Sequence, residues 1–90
     1  MSNRSEREEC EAVIWFGKKM AEKLRKNGHK SHWRASTFAY LTRRMLQEVV
    51  ELLDELEEPT LDVEAIAMEC ADIANFAMMI ADNARRRTNH

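Results

Sequence analysis

The stretch QEVVELLDELEEPTLDVEAIAMECAD, residues 47–72, decides the reading of this chain. It holds two acidic pairs, Glu48-Val-Val-Glu51 and Glu69-Cys-Ala-Asp72, each with its members three residues apart. A helix turns about 100° per residue, so partners at that spacing share one face and converge. Pro59 between the pairs stops one helix and lets another begin, which puts the pairs on consecutive helices. Four carboxylates brought together this way repel one another. A divalent cation between them turns the repulsion into a binding site, so the function turns on whether the pairs face each other.

Outward from that stretch, the pattern predicts a helix over 36–58 with Ser36 as its N-cap and Pro59 beyond its end. Phe38, Leu41, Met45, Val49, Leu52, Leu53 and Leu56 form its apolar stripe, and Arg44, Glu48, Glu51 and Glu55 form a strip bordering that stripe. A helix over 61–85 follows, with Thr60 as cap and Asp62 and Glu64 at its positive end. Its apolar face is Ala65, Ile66, Ile73, Phe76, Met79 and Ile80, and Glu69 and Asp72 fall in the middle of it. Burying unpaired carboxylates costs several kcal/mol, so their place on that face implies protonation, a cationic partner or a metal. Asn75 can add a neutral oxygen or a hydrogen bond. The opposite side, Ala67, Ala71, Ala74, Met78 and Ala81, is also poor in charge, which is the pattern of a helix buried nearly all round.

On the N-terminal side a helix is expected over 6–27, opened by a Ser5-x-x-Glu8 capping box and closed by Asn27-Gly28. Val13, Phe16, Met20 and Leu24 supply its core stripe. Trp15 and Lys19, off the centre of that stripe, read as ligand contacts or, more simply, as a surface pair with the ammonium over the indole. The connection GHKSHWR, residues 28–34, concentrates binding residue types: Trp33 beside His32 can stack a base, and Lys30 and Arg34 can neutralise phosphate. Trp33 can equally plug the end of the bundle. His29-x-x-His32 lacks a third metal ligand nearby.

The whole chain bounds these readings. Its 90 residues make one domain, 1–90, and a third of them are charged, the balance of a soluble globular protein. The net charge of −2 hides a segregation: residues 18–34 hold seven Lys or Arg against Glu22 alone, whereas residues 47–72 hold ten Asp or Glu and no base. That arrangement reads either as two solvated faces that attract each other or as a site handling metal and polyanion with different segments. Cys10 and Cys70 are too few and too isolated for a disulfide framework. No signal peptide or membrane span is visible, so the expected address is the cytoplasm, and the terminal Arg85-Arg86-Arg87 suits the negative end of a helix rather than nucleic acid. The expected fold is all-α: three long helices per chain, one short of a four-helix-type bundle, completed by a second copy as a dimer or a dimer of dimers.

Glu-x-x-Glu, a spacer of 17 residues, and Glu-x-x-Asp on the next helix resemble the MazG-like, all-α nucleoside triphosphate pyrophosphohydrolases. The segments LRKNGHKSHW (24–33) and DIANFAMMIAD (72–82) are similar to the small, often phage-encoded members, so the likeness covers most of the chain. The resemblance implies Mg²⁺-dependent hydrolysis of a nucleoside triphosphate to monophosphate and pyrophosphate, as nucleotide-pool housekeeping. It implies Glu48, Glu51, Glu69 and Asp72 as the metal ligands. Many relatives begin the first motif with a doubled Glu; Gln47 stands at the first of those positions and cannot act as a base. Activation of water then passes to Glu48, Glu51 or Glu55. Lys19, Lys30 and Arg34, with Arg44 as a further cation, are candidates to hold the departing pyrophosphate, and His32, Trp33 and Asn75 to line the nucleoside pocket. No Gly-rich phosphate loop is present, and a di-iron bundle would need a Glu-x-x-His motif that the chain lacks. The competing reading is a non-catalytic helical oligomerisation module, indifferent to divalent ions.

Overall fold

The computed structural model describes residues 2–28 and 32–88. Three helices, α1 (Ser2–Lys26), α2 (Phe38–Leu56) and α3 (Val63–Thr88), are joined by a 3-10 turn at His32–Ala35 and a short link around Pro59. The all-α expectation holds. Among the described residues there is no strand, and no helix is long and apolar enough to cross a membrane.

The helix ends follow local chemistry, with shifts from the expected boundaries. α1 begins at Ser2 rather than near residue 6, so Ser5 lies inside the helix and the capping box is not used. Glu8, which would have closed that box, pairs instead with Arg4 one turn earlier (3.4 Å). The C-terminal stop is as expected: Gly28 sits at φ +67°, and the Asn27 and Gly28 amides donate to the carbonyls of Lys23 (3.0 Å) and Arg25 (3.2 Å). Thr37, not Ser36, caps α2, its hydroxyl accepting from the Tyr40 amide (3.1 Å), while Ser36 belongs to the preceding turn, its amide donating to the Trp33 carbonyl (3.0 Å). Asp62, not Thr60, caps α3 by accepting from the Ala65 amide (3.0 Å). α2 stops two residues short of Glu58, and α3 runs on to Thr88, three beyond Arg85. There Arg85 and Arg86 fold back onto Asp82 and support the last turns.

α3 is the central element: α1 and α2 each pack along it, and they scarcely meet each other. The result is an open layer of 42 × 37 × 20 Å. Its radius of gyration is 15.2 Å, against about 12 Å for a closed chain of this length. Leu41, Phe76 and Met79 form the core cluster, with Leu24, Trp33, Met45, Met78 and Ile80 packed around it. Ala67, Met68 and Ala71 are buried as well, so α3 is covered on more than one side.

Two expectations for the apolar stripes fail. Val13 is 72% exposed, because α1 meets α3 chiefly through its C-terminal half, where Met20 and Leu24 are half-buried. On α2, Leu53 (54%) and Leu56 (47%) turn to solvent together with Leu46 and Val50, outside the arc that faces α3. Nor does Lys19 stack on Trp15. It crosses to α3 and pairs with Glu64 at 2.9 Å, leaving the indole beside Phe16.

Candidate metal centre

Glu48 and Glu51 lie on the side of α2 that faces α3, and Glu69 lies opposite them. One carboxylate oxygen from each comes within 4.8 Å of the others. That separation is about twice a Ca²⁺–oxygen distance, so closing the set on the smaller Mg²⁺, at about 2.1 Å per bond, needs movements of under an ångström. Hard cations prefer oxygen donors of this kind.

Glu51 is exposed and Glu69 half-buried, but the burial of Glu48 makes the site more than an acidic surface. Glu48 is 7% exposed; its Oε1 accepts from Arg44 Nη2 at 3.2 Å, while its Oε2 is buried without a hydrogen-bond partner. Glu69 Oε2 is in the same condition. Native structures leave few buried polar atoms unpartnered, and each one asks for an explanation. Burial, reinforced by contact with Glu51 and by the charges of Asp72, Glu51 and Glu69, pushes the Glu48 carboxyl up to about 7. Burial, then the charges of Glu51 and Asp72, raises Glu69 as well. At neutral pH the cluster therefore either retains a proton or takes up a cation.

Asp72 stands beside this group without joining it. Its charge acts on both Glu48 and Glu69, but its own oxygens are turned to α1: Asn27 Nδ2 donates to Oδ1 (3.2 Å) and Lys23 Nζ lies 3.4 Å from Oδ2. Glu55 lies one turn beyond Glu51, and with Glu51, Asp54, Glu58 and Glu69 it lines an open acidic cleft of about 380 Å³. A hydrated cation can approach the buried carboxylates through it.

A second cavity, about 260 Å³, is lined by Trp33, Ser36, Tyr40, Leu41, Arg44, Phe76 and Met79. Arg44 joins the two places. It donates to Glu48 and Gln47, and its guanidinium lies 5.3 Å from the centre of the Phe76 ring. An aromatic chamber thus connects to the carboxylates through one cation.

The other expected contacts are placed as follows. Trp33 lines the aromatic cavity, and Arg34 is exposed. Lys19 is held by Glu64 and, at 3.9 Å, by Glu22, which raises its pKa. Asn75 is buried and donates to the Met20 carbonyl at 3.0 Å, tying α3 to α1, while its Oδ1 has no partner. Lys30 and the His32 side chain lie outside the described residues.

Residues missed from the sequence are Lys23, which meets Asp72, and Asp82 and Asn83, which meet Trp33. Lys23 carried a weak signal, since on the helical wheel it lies about 20° from Phe16 and so borders the apolar stripe instead of opposing it. Asp82 did too, with arginines three and four residues later. No protein-family model matches the chain, and neither does any curated protein or solved structure.

Proposed function

We propose that the chain is a Mg²⁺-dependent nucleoside triphosphate pyrophosphohydrolase, acting as a homo-oligomer on the cytoplasmic nucleotide pool. The observation that carries this reading is the buried, unpartnered Oε2 of Glu48, in a group where Glu51 and Glu69 also converge. Such an atom is costly unless a cation or proton meets it. The MazG-like spacing of the two acidic pairs supports the same activity.

Glu48, Glu51 and Glu69 would hold Mg²⁺, which supplies charge neutralisation at the phosphate oxygens and acidifies a water. Asp72 is near enough to act on these carboxylates and can join them if Lys23 shifts to a phosphate oxygen. Glu55, which lines the open cleft with Glu51 and Glu69, would take the proton of an attacking water that Gln47 cannot accept. Arg44 lies between the carboxylates and the aromatic cavity, where its charge would meet the polyphosphate while Trp33, Tyr40 and Phe76 enclose the nucleoside.

Exposed apolar residues on α1 and α2 favour a second reading, a helical oligomerisation module: Val13, Ile14, Leu46, Val50 and Leu53 are each more than half exposed. The readings separate on one pair of measurements, a thermal melt with EDTA or Mg²⁺ and a pyrophosphate-release assay over the common ribo- and deoxyribonucleoside triphosphates. The hydrolase reading expects a Mg²⁺-dependent rise in Tm and release from at least one nucleotide. Neither effect would leave the oligomerisation module.

A further inference from the structure

Asp82 and Asn83 are buried polar residues on α3 that lie outside the metal centre. Asp82 Oδ1 accepts from Arg85 Nε (2.8 Å), and its Oδ2 accepts from Arg86 Nε (3.0 Å) and from Trp33 Nε1 (3.2 Å). Asn83 Nδ2 donates to the Trp33 carbonyl at 2.8 Å. The two arginines belong to the same helix as Asp82, so they satisfy its charge without joining elements. Among the described residues, every side-chain hydrogen bond from this pair to another element ends on Trp33: one on the ring edge, one on the backbone.

A residue that only plugs a bundle is held well enough by apolar contact, which leaves a ring free to tilt. A bond at the indole nitrogen and another at the carbonyl of the same residue fix both the position of the backbone and the plane of the ring. Trp33 also lines the cavity shared with Tyr40, Phe76 and Arg44. We infer that Asp82 and Asn83 are positioning residues that hold the Trp33 indole as a preformed wall of this cavity, which takes a planar heteroaromatic ring, a nucleobase, without needing metal. The choice of ligand rests on the nucleotide reading above; the latch itself does not. A wall held in place beforehand spares the ligand the cost of ordering it, and releasing one such side chain weakens binding by about 3- to 10-fold.

The test uses a Trp15→Phe background, in which Trp33 is the sole tryptophan of the two in the chain. Trp33 fluorescence is titrated in EDTA with AMP, CMP, GMP, UMP and dTMP, and its anisotropy and quenching by acrylamide are recorded. At least one nucleotide should give a saturable change. Asp82→Ala should weaken that nucleotide about 3- to 10-fold, lower the anisotropy and increase the quenching. Asp82→Asn keeps an oxygen for the indole N–H and should recover most of the affinity. In turnover the loss should fall on KM rather than kcat, a split that mere destabilisation does not produce. Should Asp82→Ala not fold, Asn83→Ala releases the Trp33 carbonyl while leaving the indole in place, and the same titration should read a loss of affinity and of anisotropy. Unchanged anisotropy and affinity in Asp82→Ala overturn the inference, as does a parent protein whose Trp33 responds to none of the five nucleotides, even if pyrophosphate release succeeds. Latch-dependent binding by a protein that hydrolyses nothing supports the inference and ends the hydrolase reading.

Discussion

Changing Glu69 to Gln keeps the size of the side chain and removes one negative charge from the cluster. Among the described residues Glu69 forms no ion pair, so nothing is stranded by the change, in contrast to Glu48 with Arg44 or Asp72 with Lys23. The magnitude follows from Glu48. Its carboxyl, ordinarily at 4.5, is held up to about 7; at about 1.4 kcal/mol per unit, ionising it inside the fold costs about 3 kcal/mol. Burial is the largest cause, and Glu51, Asp72 and Glu69 contribute the rest. Glu69 supplies only a small share of that push, but it is itself raised by burial and by Glu51 and Asp72, so replacing it removes its own cost of ionisation as well, and the two together should return about 1 kcal/mol. The direction with pH is set by linkage: a folded-state pKa above the unfolded value gives stability that is complete below 4.5 and lost as pH rises through 7. Asp82 is held well below the usual carboxylate range, chiefly by Arg86, then Trp33 and Arg85, so its contribution is lost only in acid, outside that window. Urea unfolding in EDTA at pH 5 and pH 8, compared between the parent and Glu69→Gln so that the three histidines cancel, therefore reads the cluster. The parent protein should lose about 1–3 kcal/mol between these values. Glu69→Gln should lose less and be more stable than the parent by about 1 kcal/mol at pH 8, while Mg²⁺ no longer stabilises it and pyrophosphate release largely disappears. A mutant less stable than the parent at pH 8, with and without Mg²⁺, or one still fully active, would refute the reasoning.

Lys23→Met removes the cation nearest buried Asp72 while keeping the length of the side chain, and should destabilise the protein by about 1–3 kcal/mol at pH 8 in urea unfolding; a change under about 0.5 kcal/mol would mean that this pair does not anchor α1. Association through the exposed apolar residues should make Tm rise with protein concentration, and Val50→Lys on the outer face of α2 should abolish that dependence. A monomeric mass in analytical ultracentrifugation at every concentration would oppose it.

What was legible in the sequence was what helical periodicity determines. A spacing of three between acidic partners put Glu48 and Glu51 on one face, a proline separated them from the next helix, and Glu69 stood among apolar residues. These facts required no knowledge of how the helices cross, and the three carboxylates do come together. Asp72 shows where periodicity stops. It shares its face with Glu69, yet its oxygens are turned to Lys23 and Asn27, which depends on how α1 is rotated against α3. The exposure of Val13 has a related origin, since an apolar stripe says which face is buried but not how far along the helix the contact runs. Two neighbouring hydroxyls, Ser36 and Thr37, both suit a cap by type, and where the preceding turn ends, with Ser36 still part of it, leaves the position to Thr37. The link from Trp33 to Asp82 joins residues 49 apart in the chain, beyond any local pattern.

The open layer and the buried polar residues of α3 explain each other. A helix packed against two partners that scarcely touch lacks the mutual contacts which in a closed bundle fix how each partner is rotated. Apolar contact is non-directional, so greasy faces alone would allow α1 and the Trp33 turn to slide along α3. Of the five buried polar or charged residues among those described, Glu48 is on α2 and Asp72, Asn75, Asp82 and Asn83 are on α3. Asp72 and Asn75 bind α1, through Lys23, Asn27 and the Met20 carbonyl; Asp82 and Asn83 bind the Trp33 turn. Hydrogen bonds are directional, and in a dry interior a misplaced partner is costly, so these residues select one docking where apolar contact would permit several. Glu69, Phe76 and Asn83, each seven residues from the next, run as a single ridge along α3 from the carboxylates, past the aromatic cavity, to the latch. At about 1.5 Å per residue that ridge spans about 21 Å on one rigid element. The distance between the carboxylate cluster and the aromatic cavity is thereby set by the helix itself, and the order of polar residues along it determines which element docks at each level.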